Sequence, residues 1–324
     1  MAHFDENRFN IETIAINFEI INAFPQRQRM NTIGIFSTGE MGGVFGKNLI
    51  QNGYNVLTCV SGRSERTRST ALAIEIHLRD NVEDVIRDSE VIFSILPPEN
   101  ALDFAKVFSE AAIKTGKKPL YVDCNSISPA TVQDIAIIVN RTGSCFVDAV
   151  FIGSADQFDT KTILYISGDE GKTLIQLLKA SMKITYLGDT IGDASALKMS
   201  FGGFNKGLSA LFIEIACASE SSGYLDELIT LFEEFYPETL NTLRRLLPSY
   251  LLHAKRRVYE IGELVKFLRQ LGLNPAISYS VKSILQSFSE IIEEKHNDIG
   301  QDKNVTIENI IQFCVSKKML SSNK

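Results

Sequence analysis

From Thr32 onward the chain alternates short apolar runs with longer stretches in which apolar residues recur at helical spacing. The runs are TIGIF (32–36), NVLTCV (55–60), VIFSILPP (91–98), LYVDCNSISP (120–129), CFVDAV (145–150), TILYISG (162–168) and KITYLG (183–188). The third stops on a Pro-Pro pair, and the fourth ends as a strand at Asp123 before a serine-capped helix. Strands that alternate with helical stretches predict parallel βαβ units. After Gly188 the strand signal stops, and from Ala194 the pattern is helical, with breaks expected near Pro237, Pro248, Gly272 and Pro275. The expected fold class is therefore α/β: a Rossmann-type N-terminal domain with a mostly parallel, doubly wound sheet over residues 30–188, then an all-α C-terminal domain over 189–324. Residues 1–29 differ from the rest. Ile14, Ile16, Phe18 and Ile20 alternate at period two, as an added strand would, but the segment is read as a poorly ordered extension.

Length agrees with two domains, since 324 residues stand against about 150 per domain. The composition, 44% hydrophobic and 22% charged, is that of a soluble globular protein. No apolar run approaches the ~18 residues of a membrane helix, so no membrane role is expected. A net charge of -6 argues against nucleic acid, whose binders need a basic face. The 5 cysteines form no CxxC pair and the 4 histidines no HExxH, so no metal site is expected. An odd cysteine count without a signal peptide reads as reduced thiols in the cytoplasm.

STGEMGG (37–43), between a strand and a helix, carries the first chemistry. Such a turn presents backbone N–H groups and the positive end of a helix to a pyrophosphate. Ser37, Thr38, Gly39, Glu40 and Met41 are the cofactor-contacting positions; Gly39 permits close approach and Gly42 lets the helix pack on the strand. Ser37 stands where the GxGxxG fingerprint has its first glycine, and Glu40 adds a negative charge beside the proposed phosphates. After the second strand no acid occurs from Asn55 to Ser64, while Arg63 and Ser64 suit a 2′-phosphate. NADP is therefore expected over NAD. At the domain junction, LGDTIGDASALKMSFGGFNKGLSAL (187–211) places Lys198 in the first turns of a long helix, where burial and a nearby cofactor would tune it for proton transfer.

At this point the sequence resembles the β-hydroxyacid dehydrogenases, which include 6-phosphogluconate and 3-hydroxyisobutyrate dehydrogenases. The resemblance covers about residues 31–290 in order: IGIFSTGEMGG, SILPP, VDCNSISP, FVDAVFIGSA and GDTIGDASALK each look like a family motif. ASALKMSFGGFNKGLSAL with the later RRVYEIGEL looks most like a phosphogluconate-dehydrogenase-like subgroup with a distinctive C-terminal domain. The resemblance implies that Lys198 is the general acid/base and that Leu96, Pro97 and Asn125 lie along the cofactor. It also implies that Ser126, Gly153 and Ser154 contact substrate, and that Glu260 follows the position of a second lysine, here Tyr259.

Two departures stand out. The family asparagine one turn beyond the lysine is here Gly202, followed by Gly203, with Asn205 further along the same face as a substrate contact; the family substrate serine is Ile152. The small residues either open room for substrate or let another helix pack. His253, Arg256 and Arg257 with Glu260 form either a basic clamp for an acidic group or, as the preferred reading, a solvated helix face. Leu208, Leu211, Phe212 and Ile215 exceed what one helix needs for its own packing, so a homodimer is expected. The expected activity is hydride transfer between NADP and a β-hydroxyacid-like or related carbonyl substrate. An imine reductase, or an inactive NADPH-binding sensor, is the alternative.

Overall fold

TIGIF folds as β1 (Thr32–Phe36), a strand buried on both faces, as its unbroken apolar run requires. In a computed structural model, residues 32–295 and 305–320 are described; the proposed extension over 1–29 lies outside them. The sheet half continues α1 (Glu40–Gln51), β2 (Asn55–Cys59), α2 (Glu65–Ala73), β3 (His77–Arg79), α3 (Val82–Asp88), β4 (Val91–Ser94), α4 (Ala101–Thr115), β5 (Leu120–Asp123) and α5 (Pro129–Asn140). It closes with β6 (Phe146–Ile152), α6 (Phe158–Lys161), β7 (Ile163–Ser167), α7 (Gly171–Leu178) and β8 (Lys183–Tyr186). Among the described residues these strands form one sheet in the order β3-β2-β1-β4-β5-β6-β7-β8. Every pairing is parallel except β6 with β7. The order reverses between β1 and β4, which opens the crevice where ligands bind in doubly wound sheets.

After β8 the described chain is helical: α8 (Asp193–Ser221), α9 (Leu225–Phe235), α10 (Pro237–Leu252), α11 (Ala254–Gln270), α12 (Ala276–Lys295) and α13 (Ile307–Ser316). Asn31–Lys324 is one unit, so sheet and helices share a body. Its helical core packs Phe212 and Ile213 of α8 against Leu243, Tyr250, Leu285 and Phe288. α8 leaves the sheet through two glycines in left-handed backbone, Gly188 (φ 122°) and Gly192 (φ 108°). Side chains with a Cβ rarely adopt that conformation, so the two positions fix where the helix begins.

Two sequence expectations change. β3 was not anticipated: HLR is three residues long and only partly buried, too short for a hydrophobic period to show. Pro248 does not break the chain but lies inside α10. Its neighbours Leu247, Tyr250 and Leu251 are buried, and their packing offsets a proline penalty of about 3 kcal/mol.

The loop after β1 depends on Gly42. A Cβ there would stand 2.0 Å from the carbonyl oxygen of Ser37. Gly42→Ala is expected to destabilise the protein by about 3 kcal/mol, the upper end for overpacking. Urea denaturation reads this as a lower midpoint, and an unchanged midpoint would show that the loop yields without cost.

Candidate active site between the sheet and the helices

Gly39 caps α1 in extended backbone and, having no side chain, supplies no capping hydrogen bond to the helix. A Cβ on Gly39 would meet nothing closer than Ser37 Oγ at 3.9 Å, so the space outside the turn is open. Thr38 is buried, and its hydroxyl donates to the Thr67 carbonyl at 3.1 Å, tying the turn to α2. Ser37 and Met41 are half-buried and Glu40 is exposed, reaching toward His253 with 3.9 Å between Oε2 and Nε2. This turn fits a pyrophosphate. Beyond β2, Ser64 spends its hydroxyl capping α2, accepting from Thr67 N at 3.3 Å, while exposed Arg63 makes no ion pair among the described residues.

A polar row crosses the central strands where β4, β5 and β7 end. Ser94, Asp123, Asp148 and Ser167 lie in register across β4, β5, β6 and β7. Asn125 is buried and fully engaged: its backbone and side-chain N–H groups donate to Asp123 at 2.9 and 2.8 Å, the side chain also donates to Ser94 Oγ at 3.0 Å, and its Oδ1 accepts from Leu96 N at 2.6 Å. Asn125 therefore clamps the Leu96–Pro97 loop to the end of β5, and its amide is not free for a ligand. Ser126 beside it is half-buried. Burial pushes the Asp123 carboxyl up to about 7, with the nearby Asp148 charge acting in the same direction and the Asn125 donors opposing it.

Asp148 binds the start of α8 to the sheet. Its Oδ2 accepts from Gly192 N (3.1 Å), Ser195 N (3.0 Å) and Ser167 Oγ (3.1 Å), and its Oδ1 from Ser195 Oγ (2.7 Å). Burial raises its pKa, and these donors oppose the rise. Lys198, one turn beyond Ser195, donates from Nζ to the Phe151 carbonyl at 2.5 Å. Burial lowers Lys198 from its usual 10.5 to about 8; Lys206 and Arg256 push the same way, while Glu260 and Cys124 oppose them. Gly153, two residues past Phe151, has φ 138° and would put a Cβ 2.3 Å from Thr162 Oγ1. Packing therefore requires this glycine. Ser154, next to it, is half-buried and accepts from Thr162 Oγ1 through its carbonyl at 3.0 Å.

Glu260 on α11 is no free carboxylate. It pairs with Lys206 Nζ at 2.8 Å and Arg256 Nε at 3.3 Å, and these cations hold its pKa at about 2 despite burial. Arg257 donates to Ser249 Oγ at 3.0 Å and lies over the Tyr250 ring, 4.9 Å from its centroid. His253, at the α10–α11 junction, is pushed down to about 4 by burial and by Arg256. The residues expected as a solvated face thus divide. Arg256 is exposed, but Arg257 and Glu260 pack inward. Asn205 is half-buried on α8, and its carbonyl accepts from Ser209 Oγ.

Residues 32–186 match the family model of the NAD binding domain of 6-phosphogluconate dehydrogenase, and residues 220–288 match DUF1932, a domain of unknown function. An uncharacterised 28.5 kDa protein of Methanothermus fervidus is 29% identical over 260 residues, 80% of this chain and 99% of that protein. A solved structure of a conserved protein, described as similar to 3-hydroxyacid dehydrogenases, is 26% identical with a TM-score of 0.60, covering 83% of this chain and 99% of that one. The two matched domains and this fold are consistent with the β-hydroxyacid dehydrogenase superfamily. Within that superfamily, 3-hydroxyisobutyrate dehydrogenase of Pseudomonas aeruginosa is 25% identical, but the match covers 43% of this chain and 46% of that protein. The Mycobacterium tuberculosis 3-hydroxyisobutyrate dehydrogenase, solved with L-serine, shares the fold at 16% identity and a TM-score of 0.66, over 88% of this chain and 99% of that one. A nicotinamide-dinucleotide domain and a helical C-terminal region are thus shared with the superfamily.

Three residues that build this junction escaped the sequence reading: Asp148, Lys206 and Glu263. Glu263 on α11 reaches the start of α5, its Oε2 accepting from Ser128 N (2.9 Å), Ser128 Oγ (2.7 Å) and Thr131 Oγ1 (2.6 Å). A serine cap with a threonine three residues on signals the helix start, but nothing in the local sequence names the remote acid that joins it. Asp148→Ala leaves buried donors at the start of α8 without an acceptor and is expected to cost about 3 kcal/mol. Asp148→Asn, which keeps one acceptor oxygen, should cost less. Equal losses in urea titrations of the two variants would overturn this account of the junction.

Proposed function

We propose that this chain is an NADP-preferring oxidoreductase that moves a hydride between the cofactor and a β-hydroxyacid-like or related carbonyl substrate, with Lys198 as general acid/base. The observation that carries the proposal is the half-buried Lys198, held at Phe151 O on the start of a helix that crosses from sheet to helical half. Its pKa of about 8 lets the amine hold or release a proton near neutrality. The α1 turn from Ser37 to Met41 would hold the pyrophosphate and the Leu96–Pro97 loop would cover the path to the nicotinamide. Arg63 would take the 2′-phosphate, with Ser64 fixing the turn beside it. When bound, the dinucleotide supplies the hydride for reduction or accepts it in oxidation. In reduction, Lys198 gives its proton to the carbonyl oxygen as the C–H bond forms. In oxidation, neutral Lys198 takes the hydroxyl proton as the C–H bond breaks. Ser126, Ser154 and Asn205 face the substrate in this reading, with the domains divided at 188/189. The five free thiols accord with a cytoplasmic setting.

A homodimer is part of the proposal. Leu197, Phe201, Phe204, Leu211 and Ile215 are exposed along α8 and, with half-buried Leu208, recur at alternating spacings of four and three. That spacing makes a continuous apolar seam. Of the positions expected to be in excess, Phe212 is instead buried in the core and Leu208 packs against it. A second copy would cover the rest, and Phe204→Glu with Leu211→Glu should then yield a monomer in light scattering. A parent protein that is already monomeric would remove the dimer from the proposal.

NADPH should bind more tightly than NADH in fluorescence titration, and Arg63→Ala should weaken NADPH by a factor of about 10 or more while leaving NADH unchanged. Equal affinities in the parent protein would overturn the NADP preference. On a panel of β-hydroxyacids and their carbonyl counterparts, Lys198→Met should lower turnover by about 10²–10⁴-fold. Oxidation should rise and reduction should fall as pH passes through about 8, since the first needs the neutral amine and the second the ammonium. Reduction of cyclic imines that survives Lys198→Met would favour the imine reductase, a fold that the reductive aminase of Aspergillus terreus shares at a TM-score of 0.54. Tight NADPH binding with no turnover on either panel would favour the sensor.

A further inference from the structure

Gly202 lies one turn beyond Lys198 on α8 and carries no side chain. The place a Cβ would occupy is 3.1 Å from Lys206 Nζ, which folds back along the helix and donates to the Gly202 carbonyl at 3.3 Å. Gly203 serves another purpose, since a Cβ there would press on Leu264 Cδ2 of α11 at 2.6 Å. The two glycines therefore answer different neighbours: Gly203 admits a helix, and Gly202 admits an ammonium. Lys206 is held by Glu260 at 2.8 Å and is only 15% exposed. An ammonium has three N–H donors, and Glu260 and Gly202 O take two of them. Around this point Lys198, Lys206, Arg256 and Arg257 face a single carboxylate, Glu260. The balance of formal charge is positive, and it sits about one helical turn, roughly 5 Å along the axis, from Lys198.

We infer that Lys206, lodged over Gly202, is the residue that binds the substrate carboxylate, with Glu260 holding it in place and Lys198 left free for the proton. This inference rests on the proposed function and assigns the anionic end of that substrate. It makes Lys206 a binding residue and Glu260 a positioning residue.

The test uses the full chain without cofactor and needs no turnover. Competitive acetylation with acetic anhydride, followed by peptide mass spectrometry, reads the reactivity of Lys198 against pH, and malonate serves as the carboxylate probe. Lys206→Met removes a cation that opposes protonation of Lys198 and leaves Glu260, which favours it. Arg256 of α11 and Cys124 at the end of β5 also face Lys198 and are unchanged. The Lys198 midpoint should therefore rise, by about one pH unit. Malonate should protect Lys198 in the parent protein and in Lys206→Arg, and at least tenfold more weakly in Lys206→Met.

Lys206→Gln is a second variant in case the methionine protein fails to fold, and urea midpoints identify the folded ones. An unmoved Lys198 midpoint, or malonate protection in the folded neutral variant equal to that of the parent, would overturn the inference and leave Lys206 a structural ion pair. Failure of NADPH to bind would instead remove the cofactor reading and would not change the malonate result.

Discussion

One buried carboxylate sets the geometry of the site. Asp148, near the start of β6, lies beneath the first turn of α8 and satisfies the N–H groups of Gly192 and Ser195 and the Ser195 hydroxyl. A helix N-terminus carries unpaired donors and a positive partial charge, so a carboxylate there is favoured by hydrogen bonds and by the helix dipole together. Three residues further along the same strand, the Phe151 carbonyl receives Lys198. Strand β6 thus fixes both the beginning of the helix and the tip of its lysine. The position of Lys198 follows from this two-point attachment, with no flexible loop between anchor and reactive group.

The second attachment runs the opposite way. Glu263, from the helical half, caps α5 in the sheet half, while Asp148, from the sheet half, caps α8. Each half contributes an acid to a helix start of the other. Both acids have several donors, which compensates their desolvation; a buried carboxylate without them would neutralise instead. Lys198 feels burial and the Lys206 and Arg256 charges together, with Glu260 preventing a larger fall.

The strands were legible because each central one is buried on both faces, and burial of that kind demands an unbroken apolar run. β3 was not, because a three-residue partly buried edge needs no such run. Pro248 shows the opposite limit: a local rule against proline inside a helix yields to the packing of its buried neighbours. The glycines were visible as glycines but not as answers to particular neighbours. Gly42 stands against a backbone oxygen, Gly153 against Thr162, Gly203 against Leu264 and Gly202 against an ammonium. Lys206 was invisible for the same reason. Its role depends on an acid 54 residues away in sequence, at Glu260, that only the packing of α11 on α8 brings to 2.8 Å.

Glu40 illustrates how a residue that looks wrong in sequence becomes neutral in place. A carboxylate in the first turn of α1 would repel the phosphates proposed for that turn. Its Oε2 reaches toward His253 at the α10–α11 junction, with 3.9 Å between the two side chains. His253 is pushed down to about 4 by burial, so near neutral pH it meets Glu40 as an uncharged ring and no ion pair forms. At 3.9 Å this contact is longer than a hydrogen bond. More than half of the side chain is exposed, so water screens its charge from the turn. The acid at the edge of the turn therefore interferes little with the anion site proposed there.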